Sequence, residues 1–138
     1  MTKVDPFVTE DGSSTLFSKQ YNQYYHNPNG ALSESQTVFI DRLNIQEHLK
    51  VHNGQLRIFE MGFGTGLNFL LAAQAFLTTY PHLLDKDATE LHFYSVEAYP
   101  ISAEIAATFQ YPIIWQKNTM TNWISNSLKG LKKGWNHH

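Results

Sequence analysis

Glu60, Gly62, Gly64 and Gly66 are the residues whose types and spacing most clearly imply chemistry. They sit in the stretch L-R-I-F-E-M-G-F-G-T-G-L-N-F-L-L, from Leu56 to Leu71. Leu56-Arg57-Ile58-Phe59 is apolar and β-prone, the pattern of a short buried strand. Leu67, Phe69, Leu70, Leu71, Ala72, Ala73 and Ala75 then continue as helix-compatible apolar residues. Strand, glycine turn and helix in this order form a nucleotide-binding βα unit, in which backbone N–H groups can approach a ligand closely. The spacing separates two cofactor readings. A dinucleotide site carries G-x-G-x-x-G with an acid about 20 residues further on. Here the glycines run G-x-G-x-G, with Phe63 and Thr65 between them and Glu60 two positions ahead. A purely structural turn and a nicotinamide site both stay open on this pattern alone.

A second carboxylate belongs to the same argument. Leu91-His92-Phe93-Tyr94-Ser95-Val96 is β-prone and alternating, so it reads as the next strand, ending at Glu97. An acid at that strand tip can accept hydrogen bonds from two ribose hydroxyls. The plainer alternative is a solvated strand-end carboxylate. The connection 81–90, H-L-L-D-K-D-A-T-E after Pro81, accounts for the long separation from Glu60.

The remaining elements must hold these groups in place. At 138 residues, 42% hydrophobic and 16% charged, the chain suits one globular domain with a real core. A net charge of −2 gives no global basic signature for nucleic acid. With no cysteine there is no disulfide or thiolate metal site, which fits a cytoplasmic protein. No stretch reaches the roughly 18 apolar residues of a membrane span. Asp11-Gly12-Ser13-Ser14 predicts a hairpin or loop. Leu16 to His26 is aromatic, with Phe17, Tyr21, Tyr24 and Tyr25, and suits a half-wet strand or a lid. After the turn Asn27-Pro28-Asn29-Gly30, Ser33-x-x-Gln36 reads as a capping box opening a helix. Val38, Phe39, Leu43, Ile45 and Leu49 would supply its buried side, and Asn53-Gly54 would end it. The helix after the glycines should run from about Leu67 to Thr79. Ser102 should cap another helix with Ile105, Ala106 and Phe109 inward, closed by Tyr111-Pro112. Ile113-Ile114-Trp115 is a short apolar stretch, Met120 to Leu131 reads as an amphipathic helix, and the end is basic. His137-His138 lacks a third ligand nearby, so no metal is expected. Residues 1–54 and 55–138 are expected to form an aromatic-rich segment with a helix and a partial Rossmann-like domain, folded as one unit.

An acid followed by G-x-G-x-G resembles motif I of class I S-adenosylmethionine-dependent methyltransferases, whose turn passes under the methionine and ribose of the cofactor. Three segments extend the resemblance: Y-H-N-P-N-G-A-L-S-E-S-Q-T-V-F-I at 25–40, F-E-M-G-F-G-T-G-L-N-F-L at 59–70, and L-H-F-Y-S-V-E-A-Y-P at 91–100. Together they resemble the tRNA 5-methylaminomethyl-2-thiouridine methyltransferases, the MnmC-type methyltransferase domain, in its N-terminal part. The closing L-K-G-L-K-K-G-W-N-H is similar to a stretch of longer members. The resemblance implies an α/β fold of the Rossmann-like class I type. It also implies methyl transfer from S-adenosylmethionine to the amine of 5-aminomethyl-2-thiouridine, at the wobble position of the tRNA anticodon loop. By the same resemblance, Glu60, Gly62, Phe63, Gly64, Thr65, Gly66 and Asn68 would line the cofactor and Glu97 would hold its ribose. Tyr25, His26, Asn29, Gly30 and Glu34 would lie on the substrate side.

The sequence also departs from that family. Neither the Gly-Asp-Ala segment near the adenine nor the Asp-Ala-Phe/Trp strand end, whose aspartate faces the substrate amine, occurs in residues 1–138. The expectation is the N-terminal half of the sheet, with the catalytic aspartate beyond residue 138 and no FAD-dependent oxidoreductase domain in this stretch. Half a parallel sheet leaves an edge unpaired, so self-association is expected. The competing functions are a non-catalytic nucleotide-binding or interaction module and an NAD-dependent oxidoreductase. The Leu67-Asn68-Phe69 extension disfavours the latter.

Overall fold

A computed structural model describes residues 4–52, 54–80, 87 and 89–109, together with the backbone of 136–137. The chain opens with an antiparallel hairpin, β1 (Val4–Val8) and β2 (Ser14–Ser18), in register from Val4 opposite Ser18 to Val8 opposite Ser14. Its turn falls at the expected Asp11-Gly12, with Gly12 at φ +79°. β3 (Gln23–Tyr24) adds antiparallel to β2. Tyr24 packs its ring 4.9 Å from Phe7 and 5.0 Å from Phe17, so the aromatic residues bind the three strands into a small sheet.

The helical segment that follows starts earlier than its capping-box pattern suggests. α1 (Ala31–Ser35) has Gly30 at its N-cap, and Ser33 lies inside the helix. Its open amides are satisfied from the hairpin turn instead. Thr9 Oγ1 accepts Ala31 N–H at 3.5 Å, Ser13 Oγ accepts Leu32 N–H at 3.0 Å, and Asp11 Oδ2 accepts Ser33 N–H at 2.9 Å and Ser33 Oγ–H at 2.7 Å. Three side chains from an upstream hairpin thus cap a helix that cannot cap itself. A Cβ on Gly30 would meet Asp11 Oδ2 at 2.7 Å, which explains the glycine.

α1 runs into a π-helix (Gln36–Asp41), then α2 (Ile45–Val51) after a break at Asn44, whose φ is +48°. The wide turns, such as Arg42 N–H to Thr37 C=O, shift the buried face. Ile40, Ile45 and Leu49 are buried, whereas Val38 and Leu43 are 53% and 57% exposed, against the expectation of a regular helical stripe. Phe39 is partly buried against the core.

β4 (Gln55–Met61) pairs in parallel with β5 (Glu90–Val96), from Gln55 opposite Glu90 to Met61 opposite Val96. α3 (Leu67–Thr79) lies between them in the chain, with the bounds expected from its pattern. Leu67, Phe69, Leu70, Leu71, Ala72, Ala73 and Ala75 are all buried in α3, because it packs on the sheet and also on the segment from α1 to α2. Phe69 meets Phe93 of β5 edge-on at 5.2 Å. α4 (Ala103–Ala106) is capped by Ser102, whose Oγ accepts Ile105 N–H at 3.3 Å. Ile105 and Ala106 are only half-buried, while Phe109 reaches the core. A short β6 (Asn136–His137) joins β5 antiparallel, giving the order β4-β5-β6. This is a partial Rossmann-like α/β fold with a small parallel sheet. The expectations for Pro81 and most of the 81–90 connection, for Tyr111-Pro112, Ile113–Trp115 and the 120–131 helix, and for the His137-His138 side chains lie outside the described residues.

Asp11 links hairpin to helix, and its ionisation follows. Burial works against the charge, but hydrogen bonds from Ser13, Thr9 and Ser33 outweigh it and hold the carboxyl well below its ordinary value. A depressed carboxyl contributes stability above its unfolded value of 3.8 and loses it as pH falls through the folded value. Asp11→Ala should therefore lower unfolding free energy at neutral pH by about 1–2 kcal/mol, the cost of a lost cap. In urea titrations the gap between variant and parent should shrink as pH drops below 3.8.

Candidate functional site

Gly62, Gly64 and Gly66 carry the chain from the end of β4 into α3, all with left-handed φ (+85°, +55° and +75°). Gly62 N–H donates to Val96 C=O at 2.8 Å, tying the turn to the end of β5. Gly66 N–H closes back on Phe63 C=O at 2.8 Å, and Gly66 is the N-cap of α3. Gly62 has open space where a Cβ would stand. A Cβ on Gly64 would lie 3.3 Å from Tyr25 Cδ2, so this glycine lets an aromatic ring lie against the turn.

Two carboxylates meet this turn. Glu97, at the tip of β5, accepts Gly64 N–H through Oε2 at 2.9 Å and Tyr99 N–H through Oε1 at 2.8 Å. Glu60 accepts Asn68 Nδ2–H through Oε1 at 2.9 Å and Ser95 Oγ–H through Oε2 at 3.2 Å, joining β4, α3 and β5. Burial pushes the Glu60 carboxyl up; the bonds from Asn68 and Ser95 oppose this, and the charge of Glu97 adds to it. Asn68 Oδ1 is buried beside it with no hydrogen-bond partner among the described residues.

The aromatic N-terminal segment forms the third side. Burial, followed by the charge of Glu97, pushes the Tyr25 phenol up. His26 Nε2 lies 3.0 Å from Thr65 Oγ1, and Thr65 is fully buried. His26 N–H donates to Thr15 Oγ1 at 3.1 Å, while Glu34 Oε2 accepts Asn27 N–H at 2.8 Å and stands 3.9 Å from His26 Nδ1. Burial lowers the His26 pKa against the opposing pull of Glu34.

Of the expected residues, Gly62, Gly64, Glu97 and Tyr25 gather at the turn, with Glu60 and Asn68 beneath it. Thr65 turns inward to His26, and Phe63 packs 6.2 Å from the Phe69 ring. Asn29 N–H donates to Asn27 Oδ1, and Gly30 is the N-cap of α1. Ser95 and Thr15 were not expected at the site. The signal for Ser95 was available, since parallel pairing in register sets it beside Glu60. A cavity of about 420 Å³ lies elsewhere, between α1, the π-helix and α3, and has no charged residue in its lining.

No family model matches the chain. In sequence it is 35% identical over 105 residues to the tRNA 5-methylaminomethyl-2-thiouridine biosynthesis bifunctional protein MnmC of Saccharophagus degradans, covering 73% of this chain and 14% of that protein. The MnmC protein of Aeromonas hydrophila is 32% identical over 115 residues, covering 75% and 17%. That of Vibrio cholerae is 40% identical over 94 residues, covering 65% and 14%. The chain thus spans 14–17% of the length of these curated relatives. In fold it is similar to the crystal structure of MnmC2 from Aquifex aeolicus, with a TM-score of 0.70 and 24% identity, covering 97% of this chain and 40% of that one.

Two tests follow from the geometry. Gly62→Ala should cost about 1–2 kcal/mol, from left-handed strain alone. Gly64→Ala should cost more, because its Cβ must also displace Tyr25; chemical denaturation of both variants gives the comparison. The second concerns Glu60. Its raised pKa means the folded state holds the proton more tightly, so stability falls as pH rises from 4.5 through the folded value. Glu60→Gln should raise the melting temperature at pH 7, its carbonyl oxygen accepting Asn68 Nδ2–H and its amide donating to Ser95 Oγ. The gain should fade as pH is lowered to 4.5.

Proposed function

We propose, from the premise that this chain belongs among the MnmC-type sequences, that it forms the S-adenosylmethionine-binding part of a tRNA-modifying methyltransferase. The acceptor is the amine of 5-aminomethyl-2-thiouridine at the wobble position, and the activity belongs to the protein as a whole. The observation that carries the cofactor assignment is the hydrogen bond from Gly64 N–H to Glu97. A dinucleotide needs the amides of such a turn free for its pyrophosphate. Here the middle amide is engaged by a carboxylate, and Glu60 lies below. Negative charge at the turn disfavours a diphosphate and favours a cofactor that carries a sulfonium and an ammonium.

The residues present fit that group. Glu97 uses one acceptor position on each oxygen, leaving capacity for the two hydroxyls of a ribose. Gly62 offers open backbone for close approach. Asn68 Oδ1, beside the Glu60 carboxyl and without a partner among the described residues, suits a cationic N–H donor at the methionine end. S-adenosylmethionine, when bound, supplies an electrophilic methyl group. The chain's own contribution is orientation: the turn fixes depth, Glu97 fixes the ribose, and Tyr25 walls the side facing the N-terminal sheet.

Isothermal calorimetry against S-adenosylhomocysteine and NAD tests the reading. Binding of S-adenosylhomocysteine with no response to NAD is expected, and the reverse would overturn it. Glu97→Ala should weaken S-adenosylhomocysteine by about 1–3 kcal/mol through loss of charge-assisted hydrogen bonds. Unchanged affinity would remove Glu97 from the site.

A further inference from the structure

Tyr21 and Tyr99 are far apart in sequence and side by side in space. One lies in the turn between β2 and β3, the other just after β5, and their ring centroids are 6.4 Å apart at an interplanar angle of 55°. The two residues are 53% and 46% exposed. Gln20 Nε2 donates to Tyr21 Oη at 3.3 Å, which holds that ring by its polar tip and leaves ring surface open. Both backbones are anchored. Tyr21 N–H donates to the Oγ of buried Ser18 at 3.3 Å, and Tyr99 N–H donates to Glu97 Oε1 at 2.8 Å. The carboxylate that positions Tyr99 is therefore the one that grips Gly64.

We propose that the Tyr21–Tyr99 pair is a stacking platform for one unstacked nucleobase of single-stranded RNA at the mouth of the glycine-turn site. The inference rests on the methyl-donor reading of that turn. An enzyme acting on a base in an RNA loop must receive it splayed from its neighbours, and exposed aromatic side chains are the usual receivers. Charge supports a base over the backbone as the bound group. Glu97 stands two residues from Tyr99 and repels phosphate, and Lys19, near Tyr21 in the chain, is paired with Asp5 at 2.7 Å. The continuity through Glu97 sets the platform beside the reaction centre.

The test measures binding of an anticodon stem-loop RNA by fluorescence anisotropy over a range of salt concentrations, alongside calorimetry with S-adenosylhomocysteine. Tyr21→Ala and Tyr99→Ala should each weaken RNA binding about 5- to 100-fold, the range for loss of one stacked base. The slope of log affinity against log salt should stay unchanged, because no phosphate contact is removed. Tyr21→Phe should bind RNA within about twofold of the parent, since stacking survives loss of the hydroxyl. S-adenosylhomocysteine affinity should hold in Tyr21→Ala, which also checks folding. RNA binding that is absent in the parent, unaffected by both alanine variants, or lost with a changed salt slope overturns the platform. If tyrosine-dependent RNA binding appears without any S-adenosylhomocysteine binding, the platform stands and the methyl-donor reading fails.

Discussion

The hydrogen bond from Gly64 N–H to the Glu97 carboxylate is the constraint on which the rest of the site depends. It requires β4 and β5 to be parallel and in register, so that the end of one strand faces the turn leaving the other. It requires a left-handed backbone at Gly64, since only that conformation aims the amide at the strand tip and leaves room for Tyr25. It also fixes the electrostatics. A carboxylate at the turn makes the helix entrance a poor phosphate cradle and a good seat for a cation. Strand register and turn geometry meet in this single contact.

The N-terminal sheet completes this arrangement from outside the βα unit. Thr65 is buried and faces His26, His26 is anchored to Thr15 of β2, and Tyr25 covers Gly64. The turn is therefore held between β5 on one side and the small antiparallel sheet on the other. Burial lowers the His26 pKa against the pull of Glu34 and so favours the neutral ring at this second contact. Glu60 is less comfortable: half-buried, under the charge of Glu97 and next to an amide oxygen with no partner among the described residues. Such a group costs stability in the unliganded protein, as functional sites often do.

Much of this was legible in the sequence, and the parts that were not share a physical cause. The glycine turn, the bounds of α3, the Asp11-Gly12 hairpin and the strand ending at Glu97 all follow from local rules of backbone conformation and periodicity. The start of α1 did not, because its capping groups come from Thr9, Asp11 and Ser13 across a loop, while Ser33-x-x-Gln36 offered a plausible local substitute. Val38 and Leu43 were misassigned to the core because the π-helical turns break the regular period. The His26–Thr65 contact joins residues in different sheet units, and no local pattern encodes it. Asn29 and Gly30, placed on the substrate side by the family resemblance, also shape the turn into α1.

The borrowed cap on α1 also bears on the order of assembly. A helix of five residues is below the length that persists alone in water, because the first turn fixes several dihedrals for one hydrogen bond. Its first amides find acceptors only after the β1–β2 hairpin has closed and presented Asp11, a local event on the microsecond scale. The hairpin is therefore a template for the start of α1, whose first amides are satisfied from another part of the chain.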